Sequence, residues 1–117
     1  MRHLKKGRKF GRKKGQRKAF IKSLIVNLIL KEKIETTVNR AKEIRPKIEK
    51  LVTIAKKQNL AHLRLLLAQL PKKTALKLYY EIAPRYKEKK GGYLRIIKSS
   101  RTRKRDQTEM AVIEFVK

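Results

Sequence analysis

Apolar side chains recur at helical spacing in the segment that begins at Ala19. Six apolar residues there stand at positions i, i+1, i+4, i+5, i+8 and i+9, whereas Ser23, Asn27 and Lys31 form the opposite stripe. Positions four residues apart share one face of an α-helix, so the pattern predicts a helix with a broad buried face. Its predicted core positions are Phe20, Ile21, Leu24, Ile25, Leu28 and Ile29.

A second helix is predicted to run from Thr37 or Asn39, either of which can cap it, to about Lys57. Pro46 lies within this segment and lacks a backbone N–H, so the helix either kinks there or begins later. The apolar positions of this segment recur at spacings of three and four. They are Ala41, Ile44, Ile48, Leu51, Val52 and Ala55.

Two shorter helices are predicted around Pro71. The first covers residues 60–70 and presents Leu63, Leu66, Leu67 and Leu70 before the proline stops it. The second covers about residues 73–82.

Three short segments rich in β-branched and aromatic residues predict strands. They are residues 33–38, 93–98 and 110–116, and the last two are joined by the basic residues 99–109. This spacing indicates a β-hairpin with a long basic tip. Together the elements predict an α+β fold in which a small three-stranded sheet is covered by about four helices.

The net charge of the chain requires a polyanionic partner. Lys and Arg number 35 against 9 Asp and Glu, which gives +26 at pH 7 over 117 residues. Such an excess of like charge repels itself, so nucleic acid is the first candidate partner and an anionic membrane surface the second. No membrane span is predicted, because Lys22, Ser23 and Asn27 interrupt the most apolar run.

The positive charge gathers in two blocks, residues 1–18 and residues 85–105. Each block contains ten Lys or Arg; the first has no acid and the second has only Glu88. Blocks of one sign predict contacts with phosphates rather than a solvated helix face. Residues 1–18 bury too little apolar area to fold alone, so we expect an RNA-binding arm, disordered when free, on a single α+β domain of residues 19–117. The predicted RNA-binding residues are Arg2, His3, Lys5, Lys6, Arg8, Lys9, Arg12, Lys13, Lys14, Arg17, Lys18, Arg85, Lys90, Tyr93, Arg95, Lys98, Arg101, Arg103, Lys104 and Arg105.

Catalytic and metal-binding constellations are missing from the sequence. Cysteine is absent, which excludes disulfides and thiolate metal sites. His3 lies in the basic arm and His62 in a leucine-rich helix, and the nine acids have no ligand spacing. We therefore expect no enzymatic activity, no metal, no cofactor and no small-molecule substrate.

The placement of the cations favours RNA over DNA. They lie on an arm and on loops rather than along one groove-reading helix, and folded RNA offers irregular surfaces that suit such extensions. The aromatic content is low, so phosphate contact and shape should dominate over base stacking. The alternative is a DNA-compacting architectural protein. It would need an apolar wedge at its β-arm tip, and residues 99–109 contain neither proline nor a large apolar residue.

A series of short motifs runs along essentially the whole chain. They are Met1-Arg2-His3, Lys6-Gly7-Arg8-Lys9, Gly11-Arg12, Arg17-Lys18-Ala19, Glu32, Ile34-Glu35-Thr36-Thr37, Ala41-Lys42-Glu43-Ile44-Arg45-Pro46, Pro84-Arg85-Tyr86, Gly91-Gly92-Tyr93, Arg95-Ile96, Lys98, Met110-Ala111 and Ile113-Glu114. In this order the motifs resemble those of the bacterial large-subunit ribosomal protein L17 family. The resemblance implies an α+β body with an extended arm and a structural, non-catalytic role in the cytoplasmic ribosome. It also implies contacts with large-subunit ribosomal RNA and with neighbouring ribosomal proteins.

Overall fold

A computed structural model describes residue 3 and residues 7–116, and these residues form four α-helices and a three-stranded antiparallel sheet. The predicted α+β class is therefore confirmed. The helices are α1 (Lys14–Lys31), α2 (Val38–Ala55), α3 (Leu60–Gln69) and α4 (Lys72–Lys77), and the strands are β1 (Lys33–Thr37), β2 (Leu94–Thr102) and β3 (Glu109–Phe115).

Helix α1 begins at Lys14, five residues before the predicted start at Ala19. The first residues of the helix are polar and exposed, so they lack the apolar periodicity that marks the rest of it. The predicted core face is largely confirmed, because Phe20 and Leu24 are half-buried and the other four positions are buried. The helix ends at Glu32, which has a left-handed backbone (φ 65°) and donates its N–H to the Leu28 carbonyl at 2.6 Å.

Helix α2 is capped by Thr37, whose side-chain oxygen accepts the backbone N–H of Arg40 at 3.3 Å. Val38 therefore opens the helix instead of ending the strand. The helix continues through the exposed Pro46, so a later start is wrong. All six apolar positions predicted for it are buried, which indicates that packing on both sides of the proline outweighs the lost hydrogen bond.

Helices α3 and α4 follow the prediction in position but differ in detail. Of the four predicted leucines, Leu66 and Leu70 are buried, Leu63 is half-buried and Leu67 is 39% exposed. After α4, the chain widens into a π-helical turn over Leu78–Ile82 and then tightens into a 3₁₀ turn over Ala83–Tyr86. A regular helix would press a proline ring at position 84 against the carbonyl four residues earlier, and the wider turn avoids that contact.

The sheet has the order β1-β3-β2, so β3 lies in the centre and pairs antiparallel with both neighbours. Ile113 of β3 lies opposite Ile34 of β1 and Ile96 of β2, and this row faces the core beside α2. Strand β2 extends to Thr102, which pairs with Glu109. The predicted basic tip of residues 99–109 is therefore shorter, and only residues 103–108 connect the strands. We call these residues the hairpin tip.

Candidate nucleic-acid interface

A basic groove of roughly 590 Å³ lies between the first half of α1, the middle of α2 and the end of α3. Its floor is apolar and its rim is cationic, and no acidic residue lines it among the described residues. Lys14, Lys18 and Lys22 are four residues apart, so one face of α1 brings them to the rim together. Arg17 and Lys47 add two more cations, while Ile21, Ile25, Leu51 and Leu70 belong to the floor.

The N-terminus of α1 opens beside this groove and lacks the usual acidic complement. Lys13 is the N-cap residue, no described side chain caps the helix, and its first turn contains no acid. The exposed N–H groups at a helix start carry a partial positive charge, and the neighbouring cations add to it. Positive charge is therefore concentrated in this region.

Residues 7–13, which we call the strap, contact the body of the protein. Arg8 forms an ion pair with Glu43 of α2 at 3.1 Å, and the Phe10 ring packs edge-on against Phe20 of α1 with centroids 5.6 Å apart. The Arg12 guanidinium lies 3.8 Å above the Phe20 ring. Of the predicted arm cations, Lys9 and Lys13 are exposed and Arg12 is half-buried. His3 is exposed, and Arg2, Lys5 and Lys6 lie outside the described residues.

The hairpin tip is braced by its own side chains. Arg103 donates to both Asp106 carboxylate oxygens, at 2.7 and 3.2 Å, and to the Thr108 hydroxyl at 3.1 Å. Hydrogen bonds from Thr108, with a further contribution from Arg103, lower the pKa of the Asp106 carboxyl. Lys104 and Arg105 are exposed at the turn and form no ion pair with any described residue. The tip therefore presents these two cations on a fixed loop.

Four cations predicted in the second block lie along β2 or just before it. Arg95 pairs with Glu114 at 2.7 Å and Arg101 with Glu35 at 3.9 Å, whereas Lys98 and Lys90 are exposed. Arg101 lies in the strand rather than in the tip. Arg95, Lys98 and Arg101 lie in an edge strand of the sheet, because β2 has only β3 as a neighbour.

Arg85 is exposed and forms an ion pair with the Glu32 carboxylate, which also lies 3.5 Å from the Lys77 ammonium. The hydrogen bond from Arg85 lowers the pKa of Glu32, although partial burial opposes the shift. The same contact raises the pKa of Arg85. This cluster joins the end of α1 to α4 and to the 3₁₀ turn.

Tyr93 is 1% exposed, so its ring is enclosed by protein rather than presented to a partner. Its hydroxyl accepts a hydrogen bond from the Lys56 ammonium at 2.9 Å, and its ring lies 5.3 Å from that of Tyr86. Tyr93 thus belongs to the core, and we leave it out of the interface.

Strand β2 runs through the second basic block, so the cations before this strand and those after it lie at different ends of the molecule. At the tip end, Met110 pairs with Thr37, which caps the N-terminus of α2. At the other end, Lys56 at the C-terminus of α2 donates to the Lys89 carbonyl. The 18 residues of α2 separate these ends by about 27 Å. The strap reaches the tip end, because its partner Glu43 lies in the second turn of α2.

Lys22 and Lys47 line the basic groove although they were not among the predicted RNA-binding residues. The signal for Lys22 was present in the sequence, since it continues the four-residue spacing of Lys14 and Lys18. No local pattern marks Lys47, because only the packing of α2 against α1 brings it to the groove.

Within the described residues, no group of three or more His, Asp or Glu side chains could hold a metal ion. None of the helices that these residues form is both long and apolar enough to cross a membrane.

Comparison with known proteins gives a consistent result over nearly the whole chain. The family model described as ribosomal protein L17 matches residues 20–116. The chain is 51% identical to the large ribosomal subunit protein bL17 of Persephonella marina, with 99% of this chain and 95% of the relative covered. It is 47% identical to bL17 of a Hydrogenobaculum species, with 99% of both covered, and 49% identical to bL17 of Fusobacterium nucleatum, with 99% of this chain and 100% of the relative covered. The similarity includes every helix and strand described above.

Proposed function

The chain belongs to the ribosomal protein L17 family, and from this premise we propose that it is a structural component of the large subunit of the bacterial cytoplasmic ribosome. In this role it binds large-subunit ribosomal RNA and packs beside neighbouring ribosomal proteins. The role needs no catalysis, cofactor or small-molecule substrate.

The observation that carries the RNA-binding proposal is the basic groove, which no described acidic residue lines, beside the start of α1, which no described side chain caps. Five cations surround an apolar floor there. A phosphodiester backbone suits such a groove, because its phosphates can pair with the rim while its riboses cover the floor.

The hairpin tip and the strap supply further contacts at the N-terminal end of α2. The cations of residues 85–90 lie at the other end of that helix, so the protein can hold RNA segments that are about 27 Å apart. Contacts spread in this way stabilise the relative position of two RNA segments, which is the role of an architectural component. We propose that residues 19–117 act as a single domain and residues 1–18 as its RNA-binding arm, although the arm's last five residues already belong to α1.

The groove can be tested by replacing Lys14, Lys18 and Lys22 with Gln. A control variant carries Gln at Lys31, Lys50 and Lys57, which are exposed and line no part of the groove, so both variants lose the same charge. Affinity for a large-subunit ribosomal RNA fragment is measured from 50 to 200 mM salt. We expect the wild-type affinity to fall steeply with salt, and the slope of the groove variant to be smaller by about one unit per lost phosphate contact.

Equal slopes for the groove and control variants would refute the groove as the interface. A wild-type affinity that does not depend on salt would refute the electrostatic account as a whole. Duplex DNA of matched length tests the alternative of a DNA-compacting protein, which predicts DNA binding as tight as RNA binding at each salt concentration.

A further inference from the structure

The strap is held against the body by three contacts from different side chains. They are the Arg8–Glu43 ion pair, the edge-on packing of Phe10 on Phe20, and the Arg12 guanidinium above the same ring. Arg40 of α2 lies 4.9 Å from the Phe20 centroid, so two guanidiniums contact that ring. Each guanidinium is attracted to the electron-rich face of the Phe20 ring, and the edge-on packing of Phe10 adds a further favourable contact.

The backbone of the strap follows a defined path between these contacts. Arg12 donates its N–H to the Lys9 carbonyl at 3.2 Å and its guanidinium to the Phe10 carbonyl at 2.8 Å. The Arg17 guanidinium then reaches back to the Arg12 carbonyl at 3.2 Å, which connects the strap to the first turn of α1. These hydrogen bonds fix the direction in which the strap leaves the helix.

Glu43 is the anchor at the far end of this path. Its side chain is only 13% exposed, against 40% for Arg8, so the carboxylate is the more enclosed partner. Gly7 passes close to it, because a Cβ atom at that position would lie 3.4 Å from the Glu43 carboxylate. Gly7 also has φ of 97°, a backbone that other residues rarely adopt. The strap therefore passes close to α2 at this acid.

By charge alone, Glu43 should oppose RNA binding. It places a negative charge among the cations of the strap and of α2, and its removal would raise the net charge from +26 to +27. Its removal would also release the strap. The strap side chains would then be mobile in the free protein, and ordering them on RNA binding would cost free energy and lower the affinity. The two effects have opposite signs, so the effect of removing Glu43 on RNA affinity distinguishes them.

We propose that Glu43 is a positioning residue for RNA binding, which holds the strap on α2 so that the cations of the strap are already in place when the RNA arrives. This inference rests on the proposed function. It assigns to an acidic residue a positive contribution to the affinity for a polyanion.

The test compares Glu43→Gln with Glu81→Gln, a variant with the same charge change at an exposed acid that forms no ion pair with a described residue. We expect Glu43→Gln to weaken binding to the ribosomal RNA fragment by about threefold to tenfold, the range for ordering one or two side chains. Glu81→Gln should bind as tightly as the wild type or slightly more tightly. Affinity that is unchanged or increased in Glu43→Gln would overturn the proposal.

Amide hydrogen exchange of the free protein reports on the strap directly. In Glu43→Gln the Arg12 amide should exchange faster, whereas the amides of Ile44 and Ile48 in the buried face of α2 should keep their protection. Unchanged exchange at Arg12 would show that the ion pair does not hold the strap. Loss of protection at Ile44 would show a general loss of structure instead, and would also refute a role confined to positioning.

A charge exchange provides a rescue experiment at constant net charge. Arg8→Glu combined with Glu43→Arg restores an ion pair of reversed polarity, and we expect the double variant to bind RNA more tightly than either single variant. Glu43→Arg carries two more positive charges than the double variant, so charge alone predicts that it binds RNA more tightly. Binding by Glu43→Arg that is as tight as or tighter than that of the double variant would refute the role of the pair. If the wild type itself fails to bind the fragment, the proposed function fails, and this outcome is distinct from the others.

Discussion

Six of the nine acidic residues form ion pairs with a lysine or an arginine in the described part of the chain. Most of these pairs join different elements, as Glu32 does with Arg85 and Glu43 with Arg8. An exposed ion pair contributes at most about 1 kcal/mol, so these pairs set the positions of side chains more than they stabilise the fold. Most of the few acidic residues are thus engaged in ion pairs that position other side chains, and none of the described ones lines the groove. Their residues are Glu32, Glu35, Glu43, Glu49, Asp106 and Glu114.

The stability of the body depends on buried apolar residues such as Leu28, which is fully buried. We expect Leu28→Ala to lower the free energy of unfolding by about 2–5 kcal/mol, because the substitution removes buried methyl groups and leaves a cavity. Leu65 is 49% exposed, so Leu65→Ala is the matched control and should change stability by less than about 1 kcal/mol. Denaturant titration followed by circular dichroism measures both. Equal losses in the two variants would contradict the assigned core.

Residue-level burial was predictable for most apolar residues that repeat on a helix, although Leu67 of α3 is 39% exposed. The positions predicted for α2 are all buried, because each helical turn returns them to the same face. Tyr93 was predicted as an RNA-binding residue within the second basic block, yet its ring packs in the core. Composition near a residue does not say which way its side chain points.

At the scale of elements, the hairpin tip contains two kinds of cation. Arg103 braces the loop, whereas Lys104 and Arg105 are exposed and can contact a partner. We expect Lys104→Ala combined with Arg105→Ala to weaken RNA binding and to lower the salt slope by about two units, because each residue can contact one phosphate. Lys31→Ala combined with Lys57→Ala removes the same charge elsewhere and should have a smaller effect. RNA titration at several salt concentrations makes the comparison. Equal slopes for the two double variants would contradict the assignment.

The strands and most helix boundaries were predictable because their signals are local. Thr37 was one of two predicted caps, and its hydroxyl suffices to start α2. The early start of α1 and the extension of β2 to Thr102 were missed, since both involve polar, exposed residues without periodicity. In β2 the register shifts between Lys98 and Thr102 before Thr102 pairs with Glu109, and side-chain patterns do not reveal such an irregular extension.

At the scale of the whole molecule, Glu32 links the end of α1 to Lys77 and Arg85. Its lowered pKa means that it stabilises the fold at pH values above its unfolded pKa of about 4.3, and that this contribution is lost as the pH falls through the lower folded pKa. We expect Glu32→Gln to lower the melting temperature by a few degrees at pH 7, since the partly exposed pairs contribute at most about 1 kcal/mol.

As the pH falls from 7 through the folded pKa of Glu32, the difference in melting temperature between the wild type and Glu32→Gln should shrink, because protonation removes the charge that the substitution also removes. Thermal unfolding over a series of pH values gives the comparison. A difference that stays constant over the whole series would show that the substitution acts through packing rather than charge.

The groove itself was only partly predictable. The sequence identified Lys14, Arg17 and Lys18 as cations of a basic block, but it gave no sign that Lys47 would join them. It also treated residues 85–105 as one block, whereas the length of β2 separates its two halves. Tertiary packing decides both points, and it leaves no trace in the local pattern of residues.

The central position of β3 also determines when the sheet can form during synthesis. β1 and β2 do not pair with each other, and each depends on β3, which is the last of the three to be translated. While the ribosome adds β2 and the hairpin tip, β1 has no strand to pair with, and the groove and strap cations have already been made. Since bacterial chains grow at about 5–20 residues per second, these cations are synthesised seconds before the sheet can close. Until β3 is made, a nascent chain of this kind therefore carries these cations on a body whose sheet is still open.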